Sequence, residues 1–163
     1  MKQFFSIAST FWMLCLPLSA LTVEEGMQRF LKGEKITAEE MEAITGRHAP
    51  AAEAPEIMND GSHYLNFVKL SIMDPAHHGG WPYRIDLMDN ERSQKKTYNE
   101  LKAIYEKNKT PVVAYALVCP AMFVNDWKIL PELFKKIEEN SILKAHFDEV
   151  YTKLWKPRLD PDF

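Results

Sequence analysis

Between Thr110 and Trp127 the chain runs Thr-Pro-Val-Val-Ala-Tyr-Ala-Leu-Val-Cys-Pro-Ala-Met-Phe-Val-Asn-Asp-Trp, and from Pro111 to Val124 no side chain carries a charge. A helix that is apolar all round has no face to offer water, so other elements must surround it. The run is shorter than the about 20 residues needed to cross a bilayer, which makes it a buried core helix. Thr110 is a good N-cap. Pro111 suits the first helical position, where a missing N–H costs nothing. Pro120 removes a mid-helix hydrogen bond, so a kink or break is expected near Cys119. The rest of the chain is then a helical wrapping for one central helix.

A length of 163 residues allows one domain with a small appendage. The formal charge of -3 and pI near 6.0 give no basic field, so a nucleic-acid partner is not expected. Lys95-Lys96 and Lys135-Lys136 are read as solvated helix faces. At the N-terminus Lys2 precedes an apolar run, Phe4–Leu16, that Ser6, Ser9 and Thr10 interrupt. Pro17-Leu18-Ser19-Ala20 has the form of a cleavage region. Residues 1–20 are therefore expected to be a signal peptide, and the protein to be exported, periplasmic or secreted, with no stable membrane insertion after cleavage. Cys15 follows Trp12-Met13-Leu14, unlike the small residues of lipoprotein signals. Cleavage leaves Cys119 alone, with no internal disulfide. Its apolar neighbours predict a buried, inert thiol.

Residues 21–46 form an N-terminal helical hairpin by this pattern. Thr22-Val23-Glu24-Glu25 and Thr37-Ala38-Glu39-Glu40 are both capping boxes, and Gly33 and Gly46 stand where the two helices should end. Met27, Phe30 and Leu31 give the first helix its apolar face; Met41 and Ile44 serve the second. Residues 47–60, rich in alanine and proline, are expected to be a linker. The helical domain, 61–157, opens with Ser62 capping a helix through Met73 that Asp74-Pro75 ends. A loop, Ala76–Pro82, follows, and Tyr83–Leu87 alternates like a short strand. Asp89–Lys96 is polar and expected to be exposed. Thr97-Tyr98-Asn99-Glu100 makes a third capping box, opening an amphipathic helix to about Lys107. After the central helix, Asn125 or Asp126 is expected to cap the next, with Leu133, Phe134 and Ile137 inward. Asn140 or Ser141 caps the last, whose stripe is Leu143, Phe147, Val150, Tyr151 and Leu154 and which Pro157 closes. Residues 158–163 are a tail.

Two helix pairs thus stand in series, Tyr98–Lys107 with Pro111–Val124 and Trp127–Glu139 with Ile142–Trp155. Glu100-Leu101 recurs as Glu132-Leu133, and Thr110 as Ser141. Asn125-Asp126-Trp127-Lys128-Ile129-Leu130-Pro131-Glu132-Leu133 resembles the inter-helix turn and first helix of HEAT-type repeats, and the resemblance spans residues 97–155. The family's Asp and Arg ladder is missing, with Val112-Val113 where an arginine is expected. The resemblance implies a scaffold that binds partners. The fold expected is all-α: an irregular helical bundle or a short HEAT-like stack of antiparallel helix pairs, with an N-terminal hairpin.

Catalytic patterns are not found. There is no glycine-flanked serine, no His-Glu-x-x-His and no phosphate-cradling glycine loop. His77, His78 and Asp74, with His63 one helix away, hold potential metal donors, but the spacing matches no ligand set, and no metal or cofactor is assigned. His146 is expected to be a structural histidine. Trp81 and Trp155 are either partner anchors or core residues. The expected function is binding of a protein partner, with His77, His78, Trp81 and Arg84 as the working face. The alternative is a small exported hydrolase using His77, His78 and Asp74. A third possibility is a bundle holding an apolar ligand beside the Thr110 helix.

Overall fold

The computed structural model describes residues 21–45, 61–74 and 91–155. Its helices are α1 (Val23–Leu31), α2 (Ala38–Thr45), α3 (Gly61–Met73), α4 (Glu91–Lys107), α5 (Pro111–Phe123), α6 (Leu130–Ile137) and α7 (Ser141–Val150), the last running into a π-helical turn, Tyr151–Trp155. The fold is all-α, with no strand among the described residues. No described helix is long and apolar enough to cross a membrane. The expected signal peptide, the linker, the 83–87 strand and the tail lie outside the described residues.

α5 is the centre of the bundle. It packs against α3, α4, α6 and α7, and every residue from Val112 to Ala121 is buried. Thr110 caps it, accepting from the Val113 N–H at 3.3 Å, with Pro111 in the first turn. Of the kink or break expected near Cys119, the break does not occur: the helix continues through Pro120 to Phe123. Proline inside a helix costs about 3 kcal/mol. Each fully buried aliphatic side chain returns about 1.5–3 kcal/mol, and Leu117 and Val118 precede Pro120 with at most 1% exposure. Packing on all sides therefore outweighs the lost ladder bond. Cys119 lies here too, 1% exposed and unbridged.

The surrounding helices fill the core with Tyr64, Val68 and Ile72 from α3, Leu101 and Tyr105 from α4, Leu133 and Ile137 from α6, and Leu143 from α7. Local signals set several ends. In α1 the Glu25 N–H donates to Thr22 Oγ1 while the Thr22 N–H donates to the Glu25 carboxylate. Thr37 and Glu40 exchange the same pair of bonds at α2. α1 ends at Gly33, φ +79°, where the Gly33 and Glu34 N–H groups donate back to Phe30 and Arg29. Arg29 then reaches Glu40 at 2.6 Å, joining α1 to α2. Met27 of α1 enters the main core and Glu24 pairs with the buried Lys69 of α3, so this N-terminal pair is packed on the rest. Asn140 caps α7, accepting from the Leu143 N–H at 3.0 Å.

Three expected caps are corrected, the first being Ser62, which is the second residue of α3 rather than its cap, since that helix already begins at Gly61. Thr97 does not start a helix. It is fully buried inside α4, which begins at Glu91, so the polar stretch before it is helical too. The Glu100 carboxylate meant for that capping box instead accepts from the Gly61 N–H at 2.6 Å, closing the first turn of α3. Nor does Asn125 or Asp126 start α6, whose N-cap is Ile129, without a side-chain bond. Asn125, at φ 59°, finishes α5: its N–H donates to Met122 and that of Asp126 to Ala121. Asparagine tolerates the left-handed region, which is why it can end a helix this way. The helix expected from Trp127 accordingly starts only at Leu130.

Candidate functional site

The end of α5 releases the chain into the turn 124–129, which crosses back over α4. Two like clusters pin this crossing. Tyr98 donates its hydroxyl to Asp126, and Lys102, one turn further along α4, donates to the Tyr98 oxygen at 3.0 Å and to Asp126 at 3.3 Å. Tyr105 donates to Glu132 at 3.2 Å, and Lys109 donates to the same carboxylate oxygen at 2.7 Å. Each ammonium also sits over its tyrosine ring, 5.4 Å from the Tyr98 centroid and 5.5 Å from that of Tyr105. Both tyrosine–lysine pairs have i,i+4 spacing, which puts them on one stripe of α4 and its C-terminal extension.

Between the clusters lies a cleft of about 320 Å³, bordered by Lys102, Tyr105, Lys109, Asp126, Lys128 and Glu132. Burial and the Glu132 charge push Tyr105 up to about 12. Burial and the bond to Asp126 raise Tyr98 as well. The Tyr98 hydroxyl holds the Asp126 carboxyl below its usual range, and the Lys109 ammonium does the same for Glu132. The hydrogen bond to Tyr98 raises Lys102. At neutral pH these tyrosines are therefore neutral, the carboxylates ionised and Lys102 charged. General acid–base work favours groups poised near the working pH, and these are displaced away from it. The clusters fix a surface; they are not tuned to move protons.

That surface carries two large apolar groups in the open. Phe123 is 43% and Trp127 47% exposed, on either side of the Asn125 turn. No protein-family model matches the sequence, and no curated protein or solved structure matches it.

His77, His78, Trp81 and Arg84 lie outside the described residues, and so does the loop that would form their face. His63 is exposed near the start of α3 and Asp74 follows its end, so the helix separates them by roughly 16 Å. Among the described residues no three His, Cys, Asp or Glu side chains come together to hold a metal. His146 is half-buried on α7, its Nδ1 2.8 Å from the Tyr115 hydroxyl oxygen, and burial lowers its pKa. The side chain of Trp155 also falls outside what is described. The Tyr98 and Tyr105 clusters were missed by sequence reasoning. Their one sequence signal is the pattern Tyr-x-x-x-Lys, present at 98–102 and again at 105–109.

Proposed function

We propose that this is an exported helical protein that acts by binding another protein, with the α5–α6 turn as its contact face. The observation that carries the role is the pair of exposed aromatics, Phe123 and Trp127, on a turn anchored at both sides. Tryptophan is enriched among the few residues that dominate interface energies. A turn already fixed by Asn125, Asp126 and the Tyr98 cluster has little conformational freedom left to lose on association. The two helix pairs, α4–α5 and α6–α7, support the HEAT-like scaffold suggested by residues 97–155. Export rests on the Phe4–Ala20 pattern. His77, His78, Trp81 and Arg84 are retained as a second contact.

The test is chemical cross-linking and capture with the wild-type protein, followed by titration of the purified partner. Phe123→Ala with Trp127→Ala should abolish saturable binding while helicity is unchanged, since neither side chain belongs to the hydrophobic core or packs against it, and truncating surface residues shifts stability by only about 0.5 kcal/mol. Binding at wild-type strength by the double variant would remove this face from the role. Replacing the four loop residues with alanine in a parallel sample tests the second contact. The intact mass of the exported protein tests the signal: a chain starting at Leu21 is expected, and one retaining Met1 or starting at Cys15 would end the cleavage proposal.

A further inference from the structure

A second cleft lies between the end of α6 and α7. We propose that it binds a basic side chain, lysine or arginine, presented by a protein partner. Its volume of about 220 Å³ falls below the about 300–1,000 Å³ of small-molecule sites and suits a single side chain. Three half-buried aromatic rings line it. Phe147 and Tyr151, one helical turn apart, lie 5.8 Å apart at 23°, and Phe134 of α6 approaches them at 5.4 and 6.1 Å. Aromatic faces carry negative potential and attract ammonium and guanidinium groups. The aliphatic stem of a long basic side chain lies well on such rings while its head stays polar.

The charges complete the match. Glu138, Asp148 and Lys144 stand at the same cleft. Lys144 is paired with Asp148, so these two cancel. Glu138 has no ion-pair contact within 4 Å among the described residues; its charge acts on Lys144 as well, so one cation faces two carboxylates and the cleft keeps one negative charge in excess. It is also the C-cap residue of α6, where the helix end favours a cation. Aromatic faces, a helix C-terminus and a carboxylate therefore point to the same ligand charge.

The assignment takes its biological sense from the protein-binding role proposed above, but its test is separate. The protein is titrated with N-acetyl-lysine methylamide, N-acetyl-arginine methylamide and the uncharged N-acetyl-norleucine methylamide. Aromatic carbon resonances of Phe134, Phe147 and Tyr151 are followed by NMR. Saturable shifts with a millimolar Kd are expected for the two cations and not for norleucine. Glu138→Gln should weaken binding about 3- to 5-fold, the loss of one exposed ion pair, and Glu139→Gln, whose carboxylate pairs with Lys136 instead, should leave it unchanged. Equal binding of the norleucine compound, no saturation by either cation, or an unaffected Glu138→Gln variant overturns the site. Cation binding by a protein that captures no partner would keep the site and sink the protein-binding role. Partner capture without cation binding would do the reverse.

Discussion

Tyr115 and His146 show how much a single contact can be asked to do. Tyr115 is fully buried in the central helix, and its hydroxyl finds an imidazole nitrogen in place of water. The Tyr115 ring meets Phe147 edge to face, and Phe147 in turn lies tilted at 47° against Phe134. Because burial lowers the His146 pKa below 6.5, the unfolded chain takes up a proton before the folded one does. Stability therefore rises with pH through this window and is lost as pH falls below about 6.5 toward the lower folded value. Urea unfolding of the wild type and His146→Gln across pH 7.5 to 5 should show a steeper loss in the wild type. Parallel pH profiles would mean that the imidazole titrates as if in water. The carboxylates that are lowered in the folded state, such as Asp126 and Glu132, lose their contribution at still lower pH and do so in both proteins.

At the scale of elements, α3 and α4 meet closely at Gly61. A Cβ on Gly61 would lie 2.6 Å from Glu100 Cβ and 3.1 Å from the Leu101 backbone nitrogen. Gly61→Ala must therefore separate the two helices and stretch the Gly61–Glu100 bond, at a cost of about 1–3 kcal/mol. A fall in the denaturation midpoint of that order is expected, and an unchanged midpoint would show that the seam can give. The same contact explains what was legible in the sequence. Thr22, Thr37, Thr110 and Asn140 cap helices through partners within three residues, and such signals survive without knowledge of the fold. Glu100 had two possible donors, one local and one 39 residues away, and the distant one won. Asn125 was misassigned because the same residue type starts and finishes helices. Only the packing of α5 decides which. The Tyr98 and Tyr105 clusters were half legible: their lysines follow at fixed spacing, whereas Asp126 and Glu132 arrive from later elements.

For the whole molecule, α5 makes the bundle one cooperative body. Leu117 has no exposed surface and lies midway along the central helix, against which α3, α4, α6 and α7 pack. Leu117→Ala should cost about 2–5 kcal/mol. That is a large share of the about 5–15 kcal/mol that holds an ordinary domain together. Far-UV circular dichroism and tryptophan fluorescence should report the same shifted transition, whereas separate transitions would mean that α1 and α2 unfold independently of the core. The axis of the bundle also holds a reporter that needs no engineering. Of the two cysteines, Cys15 precedes Leu21, so a chain beginning there owns a single sulfhydryl, at Cys119. A mild alkylating reagent can reach it only in the fraction of time that the surrounding helices stand apart. The rate at which native protein loses its thiol to the reagent thus becomes a clock for those openings, set by the protein's own chemistry.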